Sequence, residues 1–296
     1  MTALAPLAAV LATIALIGAA LLVGQRLVLR MRWTRPVALL KEAVPDGWAE
    51  IVGERFPLAR NLAPADFERL LKLIQLFRRT KHVEGAGGLV LTDEIRVTIA
   101  AQACFLVLWL DVGLYPALRT VVVYPSTVVP RYAGERLRSG GTQDDVKTPI
   151  LGQSWAQGVV ILAWDDASRG ALDPRDGKNL VFHEFAHQLD QEVGGADGVP
   201  VGLPLSALKP WAEVIERRFR QLARAERTGR RSVIDTYGAT NQAEFFAVAT
   251  EAFFEKPHAL RAKKPDLYAL LVELYRVDPA AGGLARRVGP ADRSPA

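Results

Sequence analysis

The hydrophobic and polar positions divide this chain into an apolar head, a body that alternates between helical and strand patterns, and a polar tail. Residues 3–24 carry no charge and are dominated by Ala, Leu, Ile and Val, and a run of that length can span a bilayer as a helix. Residues 65–77 repeat their apolar positions at helical spacing. Gly85, Gly87 and Gly88 then break the pattern, and Thr92 is placed to cap a helix running to Leu110. That helix contains Arg96 and Gln102 and stops at Asp111, so it is too short for a second span and is expected to form the core. Apolar, β-branched runs predict strands at Thr120–Tyr124 and Val159–Trp164, and Arg131–Lys147 reads as a polar loop. Further helices are expected over 178–192, 211–224, 241–254 and 265–275. The tail from Pro279, made largely of Gly, Ala, Pro and Arg, lacks the apolar content to fold.

Charge sharpens the reading of both ends. No Lys or Arg precedes the apolar head, whereas Arg26, Arg30, Arg32 and Arg35 follow it, so an uncleaved anchor fits better than a secretory signal. The positive side of a span faces the cytoplasm. The expectation is a single-pass protein of the inner (plasma) membrane, with residues 1–32 as anchor and basic juxtamembrane segment, 33–280 as a cytoplasmic catalytic domain and 281–296 as a disordered tail. The net charge is +5, but the excess sits at the two ends and the body is nearly neutral. A broad phosphate-binding face is therefore absent, and no direct nucleic-acid binding is expected. One cysteine, Cys104, excludes an intrachain disulfide framework and is read as core packing.

The chemistry concentrates in His183-Glu184-Phe185-Ala186-His187. On a helix, positions i and i+4 share a face, so both imidazoles can reach one ion while Glu184 faces a water beside it. Zinc in a catalytic site takes a third protein ligand and leaves the fourth position open. The continuation Gln188-Leu189-Asp190-Gln191-Glu192 supplies no third histidine, which points to a carboxylate on a second helix. Residues 241–254 form such a helix, apolar enough that a carboxylate is costly there unless it is paired or ligating. Glu244 and Glu251 stand seven apart on one face. Spacing alone lets either ligate, with the other as a supporting carboxylate. His82 and His258 lie in polar or Pro-flanked sequence and are read as surface residues in loops. Arg175, Asp176, Lys178, Asp190 and Glu192 bracket the motif too closely for it to lie inside a membrane.

Four stretches carry a family resemblance: Leu91–Cys104, Trp164-Asp165-Asp166, His183–Asp190 and Tyr237–Phe246. In these residues and their order the chain resembles the Mlc-titration-factor-A-like zinc peptidases, peptidase family M90. The resemblance implies a gluzincin-like (zincin-like) α+β domain, mostly helical with a small mixed sheet. It implies one Zn2+ per chain held by His183, His187 and Glu244, Glu184 as catalytic base, and a peptide or protein substrate. It also implies an alternative role, sequestering a transcriptional repressor as a regulatory partner. Gln242 departs from the family, which often carries Pro there, and this weakens the expected helix start. Tyr237, in a matched stretch, is the candidate donor to the oxyanion. Asp190 is a candidate acceptor for a ligand ring nitrogen. Val159–Trp164 takes the place of the edge strand that lines a gluzincin cleft.

Overall fold

One buried helix organises the molecule. The computed structural model describes residues 42–110, 112–126, 158–192, 197–203, 205–282 and 284. In chain order it contains α1 (Trp48–Arg55), α2 (Pro64–Thr80), β1 (His82–Gly85), α3 (Asp93–Leu106), β2 (Thr120–Tyr124), β3 (Val159–Ala163), α4 (Trp164–Leu172), α5 (Leu180–Gln191), α6 (Leu208–Arg227), α7 (Gln242–Glu255), α8 (Pro257–Lys263) and α9 (Pro265–Tyr275). Helix α3 starts where Thr92 Oγ1 accepts the Ile95 N–H at 3.3 Å, which satisfies one of the amides a helix start leaves over. Nearly every later residue of α3 is buried, and α1, α2, α4 and α5 pack around it.

Phe105 is the centre of that packing. Its ring meets Phe56 edge-on at 5.3 Å, Trp109 at 5.5 Å and Phe254 at 5.4 Å, and stacks on Phe182 at 6.0 Å. Burying each such side chain stabilises the fold by about 2–3 kcal/mol. Phe182 belongs to α5 and Phe254 to α7, and their rings lie 5.3 Å apart. The aromatic core thus clamps together the two helices that carry the candidate ligands. Cys104 is fully buried beside it, as core packing requires.

The sheet has the order β1-β2-β3 and both pairings are parallel, with Val121 opposite Val83 and Val160. The expected mixed sheet is therefore corrected to a parallel one among the described residues. The reason lies in the connections: β1 returns to β2 through α3, and a crossover of that kind makes parallel neighbours where a hairpin would make antiparallel ones. Strand β1 itself was expected to be loop. His82-Val83-Glu84-Gly85 is mostly exposed and has no apolar alternation; main-chain bonds at its two ends hold it, His82 N to Arg119 O at 2.9 Å and Ala86 N to Val123 O at 2.8 Å. Strand β3 lies at the other edge and touches α5.

Most predicted helices appear within a few residues of their expected ends. Trp164 opens α4 instead of closing the strand, and His258 lies in α8 instead of a loop, although it is exposed as expected. The packed body runs beyond residue 280: Leu284 is buried, bridges to Leu62 and donates its N–H to Asn61 O at 3.3 Å. Among the described residues no helix is long and apolar enough to cross a membrane. The apolar segment 3–24, its following arginines, the polar segment 131–147 and the tail from 285 lie outside the described residues.

Candidate metal centre

Helix α5 carries the motif, and its start is fixed by Asn179. The Asn179 side chain accepts the Phe182 N–H at 2.9 Å through Oδ1, and its Nδ2 donates to Gly170 O on α4 at 3.2 Å and to Glu255 Oε1 on α7 at 3.1 Å. Gly170 is needed for this contact, since a Cβ there would lie 2.9 Å from Asn179 Cα. Helix α7 starts equally sharply: Asn241 Oδ1 accepts the Glu244 N–H at 2.9 Å. The missing proline at Gln242 therefore leaves the helix start intact, because an asparagine cap performs the same local task.

With α5 and α7 in contact, three donor atoms converge. His183 Nε2 lies 2.9 Å from Glu244 Oε2 and 3.2 Å from His187 Nε2, and His187 Nε2 lies 3.4 Å from Glu244 Oε2. Tetrahedral ligands at about 2.0–2.1 Å from zinc stand about 3.3 Å from one another, so this triangle has the size and donor chemistry of a zinc site. Glu251 takes the other side of the same ring, its Oε1 2.8 Å from His183 Nδ1. The two carboxylates that spacing left equivalent differ in position: Glu244 faces the nitrogen that His187 also faces, and Glu251 stands behind.

The charges match this arrangement. Burial opposes a charge on the His183 ring, yet the hydrogen bonds to Glu244 and Glu251 carry its pKa up to about 10. Burial likewise opposes the Glu244 carboxylate, but the bonds from His183 and His187 hold it down at about 2. Without a metal, a proton on His183 supplies the positive charge that the surrounding carboxylates demand.

The remaining candidates fall in different places. Glu184 is almost completely buried on α5, and its negative charge contributes to the raised pKa of both His183 and Tyr237. Tyr237 stands at the rim, half exposed, with its ring 5.9 Å from that of His183. Its short 3-10 turn, Thr236–Ala239, begins with Asp235 accepting the Tyr237 N–H at 2.9 Å and is pressed onto α7 at Gly238, where a Cβ would collide with Val248 and lie 3.1 Å from Phe245 Cα. Burial, reinforced by Glu244 and Glu184, raises the phenol to about 12. Asp190 makes its hydrogen bonds to main-chain amides, and the His187 charge acts on it from nearby. Fully buried, it accepts the Gly198 N–H at 3.0 Å and the Val199 N–H at 2.8 Å, which pins the loop after α5 to the helix. The residues that sequence reasoning missed are Asn179 and Glu255. Asn179 was legible as a polar residue ahead of an apolar run, while Glu255 is one turn beyond Glu251 and gave no signal of its partner.

Fold and donor set together define the class: a mostly helical metallopeptidase domain with a candidate His–His–Glu metal site. The family described as "Glucose-regulated metallo-peptidase M90" matches residues 30–276, and the chain belongs to it. An uncharacterized protein of Synechocystis is 38% identical over 246 residues, covering 83% of this chain and 89% of that one. Proteins called Mlc titration factor A are 32% identical, over 234 residues in Pectobacterium atrosepticum (76% of this chain, 84% of the relative) and over 240 in Klebsiella pneumoniae (79% and 89%).

Proposed function

We propose that the chain is a zinc-dependent peptidase in which His183, His187 and Glu244 bind the metal and Glu184 is the general base. The observation that carries this reading is the triangle of 2.9, 3.2 and 3.4 Å formed by two imidazole nitrogens and one carboxylate oxygen. Zinc held there supplies a Lewis acid that activates water and polarises a carbonyl. Glu184 takes the water's proton on its carboxylate and passes it to the leaving amine. Tyr237, at the rim with its ring 5.9 Å from that of His183, donates its phenolic hydrogen to the oxyanion. Among the described residues β3 is an edge strand beside α5, a position from which it would offer an extended substrate a row of main-chain groups to pair with. Purified protein is expected to hold about one zinc per chain, to lose peptide hydrolysis on chelation and to regain it with added zinc. Hydrolysis that survives complete removal of metal would refute the assignment.

The name Mlc titration factor A, carried by the Pectobacterium and Klebsiella relatives, supports a second role, capture of a transcriptional repressor. A Glu184→Gln protein that has lost hydrolysis but still retains a repressor in a pull-down would establish it, and failure to retain one would remove it. The apolar run 3–24 with its following arginines supports anchoring to the inner face of the plasma membrane. Fractionation checks this: full-length chain should pellet with membranes and resist salt extraction, and chain lacking residues 1–32 should not.

A further inference from the structure

Glu251 holds two things at once. Its Oε1 is 2.8 Å from His183 Nδ1, and its Oε2 accepts the Asn179 N–H at 2.6 Å. One nearly buried carboxylate, its side chain 8% exposed, thus ties a candidate ligand ring and the residue that caps its helix to α7, the helix that carries Glu244. Behind it Glu255 repeats the tie, accepting the Lys178 N–H at 3.0 Å and Asn179 Nδ2–H at 3.1 Å. The two glutamates differ in one respect: Glu255 reaches only the helix start, whereas Glu251 also reaches the ring.

That difference has a chemical consequence. A neutral imidazole carries one hydrogen, and the nitrogen without it is the one that can ligate. The Glu251 oxygen facing Nδ1 accepts that nitrogen's hydrogen, so when a metal takes the place of the Nε2 proton the hydrogen stays on Nδ1 and the Nε2 lone pair is left for the ion that Glu244 and His187 also face. We propose that Glu251 is the positioning residue of the metal centre: it selects the metal-binding tautomer of His183 and locks α5 in phase with α7. The proposal rests on the metal-site reading above.

A glutamine at 251 offers one acceptor where two are used. Either its N–H2 faces His183 Nδ1, which then keeps a lone pair there and a hydrogen on Nε2, or the Asn179 N–H loses its acceptor. Chelator competition on the full chain should find zinc bound about 10–100-fold more weakly by Glu251→Gln, and within about threefold of wild type by Glu255→Gln, which disturbs the helix start alone. Equal weakening in both variants would mean that Glu251 acts only as a helix tie and would overturn the proposal. Zinc-loaded wild-type protein supplies a readout that does not depend on any variant folding: the His183 ring should show a slowly exchanging, nitrogen-coupled Nδ1 proton in NMR spectra. A His183 ring without that proton overturns the proposal. Wild-type protein that binds no zinc at all overturns the metal reading and this proposal with it, while unchanged affinity in a folded Glu251→Gln protein overturns this proposal alone.

Discussion

Glu184→Gln should lower peptide hydrolysis by at least about 10²–10⁴-fold, the range a positioned general base contributes, while zinc content stays near that of wild type. The two halves of this result come from different features. Glu184 is not one of the three converging donors, so its removal leaves the metal triangle intact. It is nearly fully buried on α5, and glutamine has its shape without its ability to take a proton. The loss should appear in kcat, with KM little changed, because the group acts on the transferring proton and not on the bound peptide. Tyr237→Phe tests the oxyanion donor: about a 10²–10³-fold loss in kcat is expected from removing one such donor. Because the ring is half exposed, the melting temperature should hardly move. A Glu184→Gln protein that keeps a tenth of its activity, or loses its zinc together with its activity, would take the base role away from Glu184.

The parts of this molecule that were legible in sequence are those decided locally. Helices α3, α5, α7 and α9 bury most of their surface, and their apolar runs, caps and breaks announced them within a few residues. Strand β1 was not legible because nothing local makes it a strand; the main chain of β2, more than thirty residues away, does. The same division runs through the site. Two imidazoles one turn apart are a local fact. Which nitrogen His183 presents is not, since it depends on Glu244 and Glu251 at separations of 61 and 68 residues. Asp190 shows a non-local demand of the same kind: its two oxygens accept the Gly198 and Val199 N–H groups, partners that the three-residue spacing from His187 does not announce.

Glu244→Ala should be the most damaging single change at the centre, because Glu244 is both a metal donor and the ion partner of His183. Zinc binding should fall to a small fraction of one per chain, since two histidines alone leave a catalytic-type site one ligand short. The metal-free protein should suffer separately. Removing one member of a buried ion pair costs about 3–5 kcal/mol, and the side chains of His183 and Glu244 are only 13% and 7% exposed. The pH dependence distinguishes this from a simple packing loss. His183 is raised from an ordinary 6.5 to about 10, so its contribution to stability is complete below 6.5 and is lost as pH rises through 10. Glu244 is lowered from an ordinary 4.5 to about 2, so its contribution is complete above 4.5 and is lost as pH falls through 2. Both describe the same pair, and the stability gap between metal-free wild type and Glu244→Ala should therefore be widest between pH 4.5 and 6.5. Toward alkaline pH it should narrow as the imidazole sheds its proton. Denaturant unfolding of both proteins in chelator at pH 5.5 and pH 9 checks this. A gap of the same size at both pH values would show that the lost contact is steric, and that the charge on His183 contributes nothing to the fold.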